Sequence, residues 1–356
     1  MTSPGPEDRS PPGLAEPPPA DDGLLTNDGL LTNDGLLALF ASLSGATIAL
    51  AAVSGGSDSM AMMHLLARWA VLAGVPVRVA TVDHGLRSES PDEAAFVARE
   101  AARLGLPHRI LSWTGPKPAT GLQAAAREAR YRLLAAHAHA CGATHLATAH
   151  TLDDQAETVL MRMAHGSGVA GLSGMRRERD LAGIRHVRPL LGLAKAELRK
   201  TCAAPDFSFV EDPSNADERF ERVRWRGLMA PLAKAGLTAR RLSDLAERAA
   251  RTEAALRETA QDALSRAAPF EGNTFDASCL LAEPFAVALR VLDLMLARAG
   301  PGGARRLNRL ETCLERLRAA LRDGRALRLT IAGLVMDLDR SGRLAVAPEG
   351  PRRRGR

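Results

Sequence analysis

Ser54-Gly55-Gly56-Ser57-Asp58-Ser59 has the residue types and spacing to hold phosphate. The apolar run Thr47 to Val53 leads into it, and Met60 to Arg68 continues from it with a helical pattern. Strand, Gly-Ser loop and helix together aim unpaired N–H groups and a positive dipole end at an anion, while the glycines let the backbone come close. The serine hydroxyls add donors. No Lys follows the glycines, so this is not a Walker A loop. Asp58 would repel bound phosphate unless a cation such as Mg²⁺ stood between them, which makes Asp58 the candidate metal ligand. The plainer alternative is a tight turn that caps a helix and binds nothing.

Other chemistry-bearing residues cluster where strands are expected to end. Val75 to Val82 reads as a strand that runs into Asp83-His84-Gly85-Leu86-Arg87. Thr144 to Ala149 reads as another, running into His150-Thr151-Leu152-Asp153-Asp154-Gln155-Ala156-Glu157-Thr158. Ligands of open α/β sheets sit beyond the carboxyl ends of the strands, so both segments fall where a ligand would be. Thr151 with Asp154 spells a capping box, which explains those two residues but not the whole group. In the helix starting at Leu122, Arg127, Arg130 and Tyr131 share a face and are candidates to touch phosphate; the alternative is a solvated basic face. Gly166 to Leu172 is Gly-rich and reads as a flexible substrate contact.

The elements that must position these residues follow from the pattern. Strands and helices alternate over 39–227, with further helices at Asp92 to Leu104 and Ala156 to Ala164 and further strands at His108 to Trp113 and Val187 to Leu191. This predicts an α/β domain with a doubly wound, mainly parallel sheet. Residues 228–348 change character, with long helices (Ala239 to Ala267, Glu283 to Ala299, Ala304 to Leu321), no strands between them, and short strands at the end. This predicts a separate, mostly helical domain. Residues 1–38 read as a disordered extension in which Asp22-Gly23-Leu24-Leu25-Thr26-Asn27 recurs at Asp28 to Asn33 and restarts at Asp34, as a duplicated start of a first helix near Leu36 to Leu43. Residues 349–356 form a basic tail.

Composition narrows the class. No apolar run approaches about 20 residues, so no membrane span is expected. The N-terminus lacks the charge and apolar core of a signal peptide. Cys141, Cys202, Cys279 and Cys313 stand far apart, which argues against a structural zinc site and suits a reducing, cytoplasmic setting. A net charge of +6 permits a nucleic-acid partner. Aromatic residues at 3% make base stacking an unlikely basis for it.

The sextet Ser54 to Ser59 resembles the SGGxDS signature of the PP-loop ATP pyrophosphatases. Together with Asp83 to Arg87, Ala124 to Tyr131, His150 to Thr158, Gly166 to Leu172, Arg188-Pro189-Leu190-Leu191 and Glu211-Asp212-Pro213-Ser214-Asn215, it resembles the bacterial tRNA(Ile)-lysidine synthases over about 47–231. Two positions depart from that family's pattern: Val223 stands where Asn is usual, and Ala149 where a polar residue is common.

The resemblance implies a PP-loop, Rossmann-like fold with a tRNA-binding helical domain. It implies ATP as cosubstrate with Mg²⁺, and an isoleucine tRNA with a CAU anticodon and free L-lysine as partners. The implied reaction adenylates O2 of the wobble cytidine, releases pyrophosphate, and lets lysine displace AMP to form lysidine. Ser54, Gly55, Gly56, Ser57, Asp58 and Ser59 would cradle ATP, with Asp58 on the metal. Arg127 and His150 would steady the transition-state charge. Lysine's amine, with a pKa near about 10.4, is almost wholly protonated at neutral pH, so a proton acceptor is useful. Asp154 is the candidate, with Asp153 or Glu157 as alternatives. A different PP-loop enzyme, such as a tRNA thiolase or an amidotransferase-type synthetase, and a non-catalytic tRNA-binding protein are the competing expectations.

Overall fold

The computed structural model describes residues 31–201, 208–210, 219, 221–267, 272–300 and 305–350. Described residues within 1–149, 180–189 and 196–210 form one compact unit, and those within 150–179, 190–195 and 211–356 form another. The first copy of the repeat, Cys202, Glu211 to Asn215 and the arginines of the basic tail lie outside the described residues.

The first unit is a βα alternation. In chain order come α1 (Asn33–Leu39), β1 (Ala49–Ala52), α2 (Ser57–Ala73), β2 (Val77–Asp83), α3 (Ser90–Arg103), β3 (His108–Ser112), α4 (Leu122–Ala140) and β4 (His145–Thr148). The chain continues through α5 (Leu152–Ala164), α6 (Val169–Leu172), β5 (Glu178–Leu181), β6 (Ile184–Val187) and α7 (Lys195–Thr201). The six-stranded sheet has the order β3-β2-β1-β4-β6-β5. β1 lies parallel to both β2 and β4, β2 parallel to β3, and β4 parallel to β6. The chain therefore steps outward from β1 to β3, then returns to the other side of β1. Right-handed crossovers place α2 and α3 on one face and α4 on the other. Packing agrees: Leu134 and Ala138 of α4 lie against Leu50, Ala80, Leu146 and Ile184. With both faces covered, β1 is apolar throughout, and Ala49, Leu50 and Ala51 are fully buried.

Several expectations are corrected. Residues 33–38, assigned to the disordered extension, belong to α1. Thr32 caps that helix by accepting from the Gly35 N–H at 2.9 Å, so the repeat's last start is a true helix start. Leu36 and Phe40 are fully buried, and the Phe40 ring lies 5.9 Å from that of Trp69. The strand expected to close at Leu191 ends at Val187, because Pro189 has no N–H to offer a ladder; Pro189–Gly192 is a 3₁₀ turn instead. β5 was not anticipated. It is joined to β6 by Ala182-Gly183, at φ 52° and 83°, a tight turn that makes the pair antiparallel.

The second unit includes α5 and α6 and continues with α8 (Glu221–Lys234), α9 (Ala239–Arg266), β7 (Thr274–Asp276), α10 (Cys279–Ala282), α11 (Phe285–Arg298) and α12 (Leu307–Arg322). It closes with β8 (Leu327–Ile331), β9 (Leu334–Leu338) and β10 (Arg343–Pro348). The expected domain boundary at 227/228 falls inside α8. Trp225, Met229 and Leu232 of that helix pack with Ala156, Val159 and Leu160 of α5 and with Leu242 and Ala246 of α9. The helices are also not free of intervening strands. β7 pairs with β10 in an antiparallel sheet of order β7-β10-β9-β8, whose Phe275, Met336, Leu338 and Leu344 are buried with Leu292, Met295 and Leu314. Among the described residues no helix is long and apolar enough to cross a membrane.

α9 and α11 are tied by a buried ion pair. Glu253 is only 4% exposed and receives Arg290 at 2.9 Å and 2.6 Å and Arg257 at 3.2 Å. Removing the acid strands the Arg290 charge. Glu253→Ala is expected to lower stability by about 3–5 kcal/mol in denaturant titrations followed by circular dichroism. Replacing Glu253 and Arg290 together with Met should recover most of that loss; a double variant as unstable as the single one would show that the stranded charge is not the cause.

Candidate functional site

The Ser54 to Ser59 loop lies at the sheet's topological switch point. β1 and β4 run side by side with Ala52 opposite Thr148, so their carboxyl ends emerge together, and Ser54 follows directly on Val53. Gly55 turns the chain at φ +90°, a conformation that L side chains rarely adopt. Its carbonyl accepts from the Val210 N–H at 2.9 Å. Gly56 is the N-cap of α2 and brings no side-chain cap, and the first bond back into the loop is Met60 N–H to Gly56 O at 3.0 Å. The first-turn N–H groups of α2 therefore have no acceptor within the helix.

The serines divide the work. Ser59 is buried and donates to Gly56 O at 2.9 Å while accepting from the Ser54 N–H at 3.1 Å. Its hydroxyl staples the loop, which corrects the expectation that every serine of the sextet is a donor to phosphate. Ser54 is exposed and Ser57 half-buried. Asp58 sits half-buried in the first turn, 3.4 Å from the Ser57 hydroxyl. No group of three or more His, Cys, Asp or Glu able to hold a metal occurs among the described residues. Asp58 is the acid in the first turn of α2, beside the loop.

On α4, Arg127 is exposed, with its guanidinium 5.2 Å from the ring of buried Tyr131. Tyr131 lies 5.3 Å from the His186 ring, and His186 shares a 2.9 Å hydrogen bond with Thr148, the last residue of β4. At the end of β2, Asp83 accepts from the Gly85 N–H at 2.8 Å and from the Ser90 hydroxyl, and Arg87 pairs with Glu93 at 2.9 Å. Asp83 and Arg87, in the segment expected to face a ligand, are therefore closing their own loop.

His150 lies two residues beyond β4, and α5 opens next. Its capping box is formed as read from sequence. One Asp154 oxygen accepts from the Thr151 N–H at 2.8 Å and from the Thr151 hydroxyl at 2.9 Å. The other faces Arg222 at 3.0 Å and Lys195 at 3.2 Å. Glu157, 1% exposed, receives Arg222 at 2.6 Å and Arg226 at 2.9 Å. Asp153 accepts from the Lys195 N–H at 2.8 Å at the start of α7. Burial pushes the Asp154 carboxyl upward, but Lys195, Arg222, the Thr151 N–H and His150 outweigh it and hold the group below the ordinary carboxylate range. A carboxylate so held favours its negative form, and both of its oxygens are engaged. Both alternatives, Asp153 and Glu157, are engaged as well.

The Gly-rich loop is pinned. Arg162 donates to Gly171 O at 2.9 Å and Gly174 O at 2.6 Å, and Gln155 exchanges two hydrogen bonds with Met175. Sequence reasoning missed Lys195, Arg222 and Arg226 as members of the α5 cluster. The four-residue spacing of the two arginines, on one helix face, was the signal for them.

A parallel sheet with a phosphate loop at its switch point defines the PP-loop class, and residues 32–233 match the PP-loop domain family. Among solved structures, the U34-tRNA thiolase NcsA from Methanococcus maripaludis, with its [4Fe-4S] cluster, shares the fold, at TM-score 0.51 and 17% identity, covering 60% of this chain and 77% of that one. The tRNA(Ile)-lysidine synthase of Methylobacterium nodulans is 56% identical over 311 residues, 85% of this chain and 91% of that protein. That of Rhodopseudomonas palustris is 47% identical over 327 residues, 88% of this chain and 94% of that protein. The chain belongs to the tRNA(Ile)-lysidine synthase family.

The Asp154 cluster has a pH signature. A carboxylate whose pKa is depressed on folding adds stability above its unfolded value, about 3.9, and loses it as pH falls through the lower folded value. Wild type should be more stable than Asp154→Asn at pH 6, and the gap should close as the solution is acidified below about pH 4. A gap independent of pH would mean that the carboxylate's charge is not what stabilises the cluster.

Proposed function

We propose that the chain is an ATP-dependent ligase that joins free L-lysine to C2 of the wobble cytidine in the CAU-anticodon isoleucine tRNA. The observation that carries this reading is the uncapped N-terminus of α2 behind Ser54 to Ser59, in a chain of the lysidine synthase family. C2 of cytosine is a poor electrophile and its oxygen a poor leaving group. Transfer of AMP from ATP to that oxygen repairs both defects and releases pyrophosphate. The lysine side-chain amine then forms the C2–N bond, the C2–O bond breaks, and AMP leaves.

In this reading the first-turn N–H groups of α2, with Ser54 and Ser57, hold the ATP phosphates. Asp58 would hold Mg²⁺, which would supply charge neutralisation between carboxylate and phosphate. Arg127 and His150 stabilise the charge that builds during adenylation. Asp154 and Glu157 act as fixed negative charges that keep Lys195, Arg222 and Arg226 in place. The helical region after α8 contributes tRNA contacts, and the reaction takes place in the cytoplasm.

A sulfur-transfer reading has less support. A thiolase needs a nearby pair of reactive cysteines or a cluster held by them. Cys141 ends α4, Cys279 lies in α10 and Cys313 in α12. Burial, with Asp276 adding to it, pushes the Cys279 thiol up to about 11, and burial raises Cys313 too, so neither is primed as a thiolate.

Asp58→Asn should keep the fold but slow tRNA-dependent pyrophosphate release by about 100-fold or more at saturating Mg²⁺. Near-normal release would remove Asp58 from the mechanism. Replacing all four cysteines with Ala or Ser should leave lysine-dependent modification largely intact, and mass spectrometry of the product tRNA should show lysine's mass and no added sulfur. A folded cysteine-free protein without activity, or sulfur in the product, would turn the assignment to a thiolase.

A further inference from the structure

An arginine steadies transition-state charge only if it stands in place before that charge appears. Arg127 is exposed near the start of α4 and forms no hydrogen bond or ion pair among the described residues. The contact it does make is with one ring. Its guanidinium carbon lies 5.2 Å from the ring centre of Tyr131, four residues on along the same helix face.

Tyr131 is itself held from beneath. It is buried, and its ring lies 5.3 Å from that of His186, with the planes at 53°. His186 is wholly buried on β6 and shares a 2.9 Å hydrogen bond with the Thr148 hydroxyl. The sheet explains the stack. Leu146 of β4 pairs with His186, so Leu146, Thr148 and His186 point to one face. That is the face under α4, where Leu134 shares a core cluster with Leu146. Tyr131 stands one turn before Leu134. It is nearer the carboxyl ends of the strands, because a helix between parallel strands runs back against them.

A histidine is a costly filler for this place. An apolar side chain would pack under Tyr131 and ask nothing of its neighbours, whereas a buried imidazole needs its nitrogens paired. The bond to Thr148 fixes the tilt of the His186 ring, and with it the seat of Tyr131. The same bond holds the last residue of β4, two residues before His150. We propose that Tyr131 and His186 are positioning residues for Arg127. His186, fixed by Thr148, props Tyr131, and Tyr131 carries the guanidinium where it meets the charge that builds during adenylation. Neither touches substrate. The inference rests on the reading of Arg127 as a stabiliser of that charge.

The test is a double-mutant cycle on the full-length protein, read by the kcat of tRNA-dependent pyrophosphate release and the Michaelis constant for ATP. Tyr131→Leu should lower kcat about tenfold or more and leave the ATP constant within about twofold. Tyr131→Phe keeps the ring and should stay within about threefold of wild type. Thr148→Val removes the hydrogen bond to His186 with little change of shape, and should lower kcat in the same direction by less. Arg127→Met is the decisive background. There, Tyr131→Leu and Thr148→Val should cost nothing further, because no guanidinium is left to place. A simple loss of core packing would slow both backgrounds alike. Thermal unfolding checks that each variant is folded at the assay temperature; if Tyr131→Leu is not, Thr148→Val carries the cycle. Equal losses with and without Arg127, no loss in either variant, or a Phe variant as slow as the Leu one overturn the proposal. An Arg127→Met protein with wild-type kcat would sink the reading of Arg127 itself, a result distinct from any of these.

Discussion

Everything at the nucleotide end depends on one tight connection. The chain leaves a largely buried central strand and enters a 17-residue helix with only Val53 to Gly56 between them. Such a turn needs a positive φ, and Gly55 supplies it. The cap position then falls on Gly56, which has no side chain to satisfy the helix donors. Thr151, at the start of α5, shows the opposite choice. There the Thr151 hydroxyl accepts from the Asp154 N–H and the Asp154 carboxylate from the Thr151 N–H. One helix start carries a side-chain cap and the other has none.

The second constraint is electrostatic. Glu157 and Asp154 are buried acids, and a buried charge persists only with counter-charges and hydrogen bonds close at hand. Arg222 bridges both, while Arg226 and Lys195 complete one each. The network joins α5, α7 and α8, elements spread over more than seventy residues of chain. It also leaves both Asp154 oxygens occupied and its negative form favoured.

Much of the molecule was legible without coordinates, because the relevant physics is local. The apolar run before Ser54, the Gly-Ser loop and the capping box at Thr151 each express themselves within a few residues. The apolar runs and helical patterns likewise located β1 to β4 and α2 to α5 to within a few positions. β5 escaped because its turn, Ala182-Gly183, lacks the Asn-Gly or Asp-Gly pair that marks such hairpins, and β7 because three residues are too few to show a period.

Sequence alone determined the class of site: a strand, a glycine turn and a helix start that can hold phosphate, followed by acids and basic residues in a recognisable order. Tertiary structure decided which of those residues remain available. Ser59, Asp83, Arg87, Asp153 and Glu157 all looked like candidates to meet a ligand, and each is engaged with a partner in its own unit. Hydrogen bonds and ion pairs form between groups that approach in space, and in Glu157 and Arg222 those groups are 65 residues apart in the chain. A sequence names the donors and acceptors; only the packed backbone brings a given pair within three ångströms and withdraws it from other chemistry.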